Sequence, residues 1–200
     1  MSMKAAAVIL AAGASSRFGR PKQLLEIDGE TLVSRACRIA MEAGCSPVVV
    51  VLGAHADEIL ARGLPVGVRI VINERYAEGM GLSLARGVGE LDTDAAVVLL
   101  ADQPGVEPDT LRLMADEITK PGVSIVWCRQ DGIPGPPVMF AKRHFAELSK
   151  LESDEGGRSV VKRHPDAVAA IDVTGARWDI DDEAAWKKFT RRRCATGEAR

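Results

Sequence analysis

Residues 10–22 read Leu10-Ala-Ala-Gly-Ala-Ser-Ser-Arg-Phe-Gly-Arg-Pro-Lys22. Two glycines, two serines and the cations Arg17, Arg20 and Lys22 crowd into this stretch. Glycine lets backbone amides approach a ligand closely, and successive amides form a concave nest for an anion. Arg17 offers a planar fork of donors and Lys22 a mobile point charge, both suited to phosphoryl oxygens. These residue types describe a phosphate cradle better than a solvated turn. Two familiar cradles do not fit. A P-loop starting at Gly13 needs glycine at 18, lysine at 19 and Ser or Thr at 20, where the chain has Phe18, Gly19 and Arg20. A dinucleotide fingerprint from the same glycine needs glycine at 15 and 18, and meets Ser15 and Phe18.

Two acidic segments follow. Leu100-Ala-Asp-Gln-Pro104 carries Asp102, which reads equally well as a turn residue before Gln103-Pro104 or as a ligand-facing carboxylate. Trp178-Asp-Ile-Asp-Asp182 carries three carboxylates, of which one can cap the helix expected after it. Cys37, Cys45, Cys128 and Cys194 form no C-x-x-C pair, and His55, His144 and His164 are scattered, so no zinc site is expected and the thiols read as buried or incidental.

Short apolar runs alternate with amphipathic stretches. The runs at 5–10, 48–52, 68–72 and 95–100 are continuous apart from Arg69 and mostly rich in β-branched residues, as strands buried on both faces of a parallel sheet are. The first of these, taken from Lys4, leads straight into the glycine loop. Helical spacing marks residues 32–43, ended by Gly44, then about 82–91, then 108–118 with Pro108 near its start. The alternation predicts a doubly wound, Rossmann-like α/β domain with a mostly parallel sheet flanked by helices. Ligands bind such sheets beyond the carboxyl ends of the strands, where Gly13 and Asp102 both fall. Further on, a strand is expected at 124–128, a stiff exposed loop at 132–140 because of its three prolines and two glycines, helical stretches at 142–148 and 158–163, a strand near 168–173, and a last helix at 183–189. One domain over 1–190 and a basic, flexible tail over 191–200 are expected, with residues 191–193 solvated. No internal repeat or low-complexity segment stands out.

The chain has 200 residues, 46% hydrophobic and 27% charged, with a net charge of -2. That length buries a substantial core. No global basic field exists to hold a nucleic-acid backbone, so no nucleic-acid partner is expected. The apolar start is too short to span a bilayer and has no small-residue cleavage pattern, so a cytoplasmic protein without a membrane segment is expected.

The segment from Leu10 to Lys22 resembles the L-A-[AG]-G-x-S-x-R-x-G-x-x-K signature of the MobA-like nucleotidyltransferases, which include the molybdenum cofactor cytidylyltransferase and guanylyltransferase. Gly79-Met-Gly-Leu-Ser-Leu-Ala-Arg-Gly87, Leu100-Ala-Asp-Gln-Pro104, Gly135-Pro-Pro-Val-Met-Phe140, Ser153-Asp-Glu-Gly-Gly-Arg158 and Trp178-Asp-Ile-Asp-Asp182 are similar to further family segments in the same order. The first motif is specific and the others are weak singly. The family joins a nucleoside monophosphate from an NTP to a phosphorylated acceptor and releases pyrophosphate.

The resemblance implies roles by position. Leu10, Ala11, Ala12 and Gly13, with Arg17 and Lys22, would hold the triphosphate, and Ser83 would lie near the nucleotide. Asp102 would hold Mg²⁺ with Asp181, or with Asp179, while one of Asp179, Asp181 and Asp182 caps. Arg17, Lys22 and Asp102 would carry catalysis. Gln103, Pro137, Asp154 and Arg158 would meet the acceptor, though for 154–158 a plain loop competes. Mg²⁺ takes one or two carboxylates plus substrate phosphates, and displacement at phosphorus needs positioning and charge neutralisation more than a protein nucleophile. Ala12, where guanylyltransferases of the family have glycine, implies CTP over GTP, its methyl narrowing the base pocket. Molybdopterin is the acceptor implied, with a molybdoenzyme receiving the product. Sugar or alcohol phosphates, and a non-catalytic nucleotide-binding maturation factor, stay open. The departures Ala101, Ser153, Pro136 and Asp182-Glu183 cluster on the acceptor and closing side.

Overall fold

A computed structural model of the chain describes residues 3–130, 132–153, 155–173 and 179–196, with side chains to residue 193. In chain order the elements are β1 (Ala5–Ala11), β2 (Glu26–Ile27), β3 (Glu30–Thr31), α1 (Leu32–Glu42), β4 (Val48–Leu52), α2 (Ala56–Arg62), β5 (Arg69–Ile72), α3 (Met80–Gly89), β6 (Ala95–Leu100), α4 (Pro108–Glu117), β7 (Ile125–Gln130), β8 (Ile133–Ala141), α5 (Phe145–Leu148), α6 (Gly157–Arg163), β9 (Val168–Asp172) and α7 (Glu183–Thr196).

Seven strands form one sheet in the order β5-β4-β1-β6-β8-β7-β9. The runs of β1, β4 and β6 carry no proline and no charge, and they lie at its centre almost wholly buried. β1 pairs in parallel with both β4 and β6. β8 alone runs against its neighbours β6 and β7. The sheet is thus mostly parallel, and helices cover both faces, as the doubly wound expectation requires. On one face Val33, Ile39 and Ala40 of α1, Ile59 of α2 and Met114 of α4 pack on Ile9, Val50 and Val97. On the other, Leu84 of α3, Leu148 of α5 and Val160 of α6 pack on Val8, Val98 and Phe140. Alternate residues of β1 serve the two faces, as the strand pleat dictates.

The boundaries of α1 follow local chemistry. The Thr31 hydroxyl accepts the Ser34 amide at its start, and Gly44 follows its end with φ of 89°.

Four expectations are corrected. Residues 132–140 are not an exposed loop but most of β8, with Met139 and Phe140 fully buried. The prolines fit because β6 pairs β8 only from Val138 onward. Pro134 and its neighbours lie beyond that ladder, opposite the irregular stretch after Trp127 of β7, where a missing amide donor is tolerated. β5 is an edge strand rather than a doubly buried one, and leaves Ile70 and Ile72 exposed. The last helix passes residue 189 and runs to Thr196, so the tail boundary expected at 190 falls inside it. Nothing between 183 and 196 is glycine or proline, and arginine is a good helix former that suits a helix's carboxyl end. Arg193 in that helix pairs with Asp28 at 2.7 Å rather than standing free in solvent. No helix among the described residues is long and apolar enough to cross a membrane.

Candidate functional site

β1 and β6 run side by side with Leu10 opposite Leu100. Both chains leave the sheet at the same end, and the Ala101 amide still donates to the Leu10 carbonyl at 3.2 Å. A cavity of about 170 Å³ lies there, bounded by Leu10, Ala11, Ala12, Gly13, Lys22, Ser83 and Asp102. The residues expected to meet the nucleotide are therefore together, with one exception. Arg17 stands outside the cavity wall, largely exposed, with its guanidinium 3.1 Å from Asp181.

Four consecutive carbonyls of the loop are tied down. The Gln23 amide donates to Ala11 O at 3.0 Å and to Gly13 O at 2.7 Å. The Ala54 amide donates to Ala12 O at 3.1 Å, and His55 Nε2 lies 3.1 Å from Ala14 O. A trans peptide points its N–H opposite to its C=O, so fixing these carbonyls fixes the amides that follow them. An anion nest needs that arrangement, since a carbonyl turned inward would repel the ligand. Ser15, at φ of 53°, donates its hydroxyl to Gln23 and accepts the Lys22 amide. Gln23 is itself 2% exposed. Gly53 permits the close approach, because a Cβ there would meet Tyr76 Cβ at 2.6 Å and Ala12 O at 2.7 Å.

The far end of the loop is held by apolar packing. Phe18 is buried with Leu25, Ile27, Leu32, Ile180 and Phe189. Arg20 lies over the Phe18 ring at 5.3 Å and pairs with Glu183 at 2.9 Å.

Lys22 Nζ ion-pairs with Asp102 and lies 3.7 Å from Asp181. The Ile180 amide donates to the Asp102 carbonyl at 3.0 Å, which sets residues 179–181 beside Asp102. The Asp179 carboxylate accepts from Gln103 at 2.7 Å. Burial of that carboxyl, with Asp102 and Asp181 nearby, raises it above the ordinary carboxylate range, against the Gln103 bond that lowers it. Asp182 caps α7 through the Ala185 amide at 2.7 Å. The donor set fits a hard cation: Asp102 and Asp181 are carboxylates flanking one ammonium, and Mg²⁺ asks for one or two carboxylates beside phosphate oxygens.

Ser83 projects from α3 and is 3% exposed. Its oxygen accepts from the Asn73 amide at 2.9 Å.

A second cavity of about 380 Å³ adjoins the first and shares Leu10, Met80 and Leu100 with it. Its wall is chiefly apolar, with Trp127, Pro136 and Phe140, and its polar members are Arg158 and Asp179. Of the residues expected to meet an acceptor, Arg158 lines this cavity. Gln103 touches its rim through Asp179 and the Pro136 carbonyl. The Gln103 Oε1 atom is buried without a hydrogen-bond partner among the described residues. Pro137 is buried but does not line the cavity. The pleat gives the cavity its neighbours Pro136 and Val138 instead. Asp154 and Trp178 lie outside the described residues. Gln23, His55, Asn73 and Trp127 were not legible as site residues. Nothing in their local sequence marks them, and only the fold brings them to the loop, to Ser83 and to the cavity.

A family model described as the MobA-like NTP transferase domain matches residues 7–168. The chain is similar to nicotine blue oxidoreductase of Paenarthrobacter nicotinovorans, with 37% identity over 84% of this chain and 86% of that one. It is similar to the molybdenum cofactor cytidylyltransferase of Escherichia coli K12, with 27% identity over 68% and 69% of the two chains. Among solved structures, Rv0371c of Mycobacterium tuberculosis H37Rv superposes with a TM-score of 0.84 at 30% identity, covering 96% of this chain and 99% of that one. Rv0371c has also been solved in complex with manganese, with a TM-score of 0.79 at 29% identity over 94% and 98% of the two chains.

Proposed function

The chain belongs to the MobA-like NTP transferase family, and on that footing we propose that it transfers CMP from CTP to a phosphorylated acceptor, a molybdopterin-type cofactor, with release of pyrophosphate. The observation that carries this reading is the Lys22–Asp102 ion pair inside the cavity walled by Ala12 and Gly13. A cation and a carboxylate held together at a phosphate nest are the parts a triphosphate and its metal would separate. The loop amides and Lys22 bind the triphosphate, and Arg17 leaves Asp181 to reach it. Asp102 and Asp181 hold Mg²⁺, which when bound neutralises charge on the phosphoryl oxygens. An acceptor phosphate oxygen forms the new bond to the α-phosphorus as the bond to pyrophosphate breaks. Lys22 stabilises the charge that develops, and no protein nucleophile takes part.

The larger cavity suits the acceptor. Trp127 and Pro136 offer flat apolar surfaces to a fused ring, Arg158 a fork for its phosphate, and Gln103 Oε1 an unpaired acceptor for a ring N–H. The Ala12 methyl favours a pyrimidine beside Leu10. A reaction that consumes CTP belongs in the cytoplasm, where a molybdoenzyme would receive the product. A second reading keeps the chemistry and changes the acceptor to a sugar or alcohol phosphate, favoured by the departures at Ala101 and Ser153. A third, an oxidoreductase activity, follows from the 37% identical nicotine blue oxidoreductase, and the absence of a dinucleotide fingerprint at Gly13 counts against it.

Pyrophosphate release with CTP, GTP, ATP and UTP against molybdenum cofactor and common sugar phosphates tests the proposal, with nicotinamide-dependent reduction assayed in parallel. CTP with molybdenum cofactor should give the highest kcat/KM. A preference for GTP overturns the base assignment, and tight CTP binding without turnover on any acceptor overturns the enzyme assignment in favour of a nucleotide-binding maturation factor.

A further inference from the structure

We propose that His144, Glu147 and His164 form a binding site for a divalent transition-metal ion of the zinc class. Each offers one ligand atom, and these atoms lie within 4.8 Å of one another, as in no other such group among the described residues. His144 precedes α5, Glu147 lies within it and His164 caps α6. The preceding strand β8 ends at Ala141 opposite Ala95, where β6 begins. The cluster therefore sits at the opposite end of the sheet from Leu100 and the phosphate loop, and the reaction proposed above does not use it.

The two separations to the carboxylate bracket that of a loaded site, and all three ligand atoms lie within 4.8 Å of one another. His164 Nε2 lies 2.8 Å and His144 Nδ1 3.9 Å from the same oxygen, Glu147 Oε2. Tetrahedral zinc, with bonds of about 2.0–2.2 Å, places its ligand atoms about 3.3 Å apart, between these two values. The imidazoles stand edge to face with centroids 4.6 Å apart. His144 is 4% exposed, and its other ring nitrogen lies 2.9 Å from Ser124 Oγ. When that serine oxygen accepts Nε2–H, Nδ1 keeps its lone pair towards the cluster. A hydrogen-bond partner of this kind orients a metal-bound imidazole. Arg143 also donates to Ser124 Oγ. Arg163 donates to the other Glu147 oxygen at 2.5 Å, so Oε2 is the oxygen left for an ion. Two imidazoles and one carboxylate select zinc or cobalt over magnesium, with water in the fourth position. The spacing of these residues matches no zinc motif, which is why the sequence led to the expectation of no zinc site, from which this proposal departs.

Untagged full-length protein stripped with chelator tests this by isothermal titration with Zn²⁺, by visible absorption with Co²⁺ and by thermal unfolding. One equivalent should bind, Co²⁺ should show tetrahedral bands, and a hundredfold excess of Zn²⁺ over Kd should raise the midpoint by roughly 5–10 °C. His164→Gln and Glu147→Gln should each weaken binding at least about tenfold. His164 has a side chain 39% exposed, so its variant keeps the fold, which circular dichroism checks. Asp102→Asn should bind Zn²⁺ as the parent does. No saturable binding by the folded parent overturns the site. So does binding that survives His164→Gln combined with Glu147→Gln, or binding lost in Asp102→Asn.

Discussion

Lys22 and Asp102 are 80 residues apart in sequence and form an ion pair with side chains 19% and 12% exposed. Each sheltered charge relies on the other, because removing one partner leaves the second poorly solvated. Lys22→Ala should lower stability by about 1–3 kcal/mol and turnover by about 10²–10³, read by urea unfolding and pyrophosphate release. Asp102→Asn should abolish metal-dependent turnover and leave the fold intact, since the Ile180 amide is held by the Asp102 backbone carbonyl. Near-normal turnover in that variant would remove Asp102 from the metal site.

The Asn73 amide donates to Ser83 Oγ, which occupies a lone pair and leaves the hydroxyl of this cavity-lining serine free to donate. Asn73→Ala should cost about 1–3 kcal/mol, as a lost buried hydrogen bond does. It should also raise KM for CTP more than it lowers kcat. Equal KM in variant and parent would show that Ser83 needs no such orientation.

Gly53 and Gly13 make a contrasting pair. A Cβ at Gly53 collides with Tyr76 and the Ala12 carbonyl, whereas one at Gly13 meets nothing within 4 Å. Gly53→Ala should destabilise the protein by about 1–3 kcal/mol through overpacking and weaken nucleotide binding with it. Gly13→Ala should unfold at the parent's denaturant midpoint and still bind triphosphate more weakly, because the added methyl enters the nest. A stability loss at Gly13 as large as at Gly53 would contradict this account of the loop.

Burial pushes the Cys37 and Cys128 thiols up to about 12 and Cys45 to about 11, from an ordinary value of 9.0. The thiolate is the reactive form, so these three thiols should react with a disulfide reagent at pH 8 at least about a hundredfold more slowly in folded than in urea-unfolded protein. Their folded values are raised, so the unfolded chain loses these protons first. The stability they contribute is complete below about pH 9 and is lost as pH climbs towards 11–12. Chemical denaturation between pH 8 and 11 should show that fall, and a flat profile would count against the buried thiols.

Much of the architecture was legible because β1, β4 and β6 are apolar runs too continuous to be anything but central strands. Placing Gly13 and Asp102 at the ends of two such strands was enough to predict that they share a cleft, as they do. What stayed hidden is long-range or very short. The two-residue strands β2 and β3 show no alternation, although Asp28-Gly29, both at positive φ, is a tight-hairpin signal. The prolines of β8 read as loop because local sequence does not reveal where a partner strand stops pairing. Gln23 and Asn73 matter through carbonyls and a hydroxyl that only the folded chain brings near. Ser83 and Lys22 stood in recognisable motifs, and their buried partners did not.

The packing of Phe18 against Ile180 and Phe189, with Arg20 bound to Glu183, has a temporal consequence. A growing chain emerges amino end first, and its early segments can begin folding before later ones exist. The phosphate loop is made well before its outer wall, which Ile180 and Phe189 supply. A chain ended after β9 should hold β1 to β9 as a sheet and still present a loop without Ile180 and Phe189 for Phe18 to lean on. Competence to grip a triphosphate would then arrive abruptly, with the release of α7.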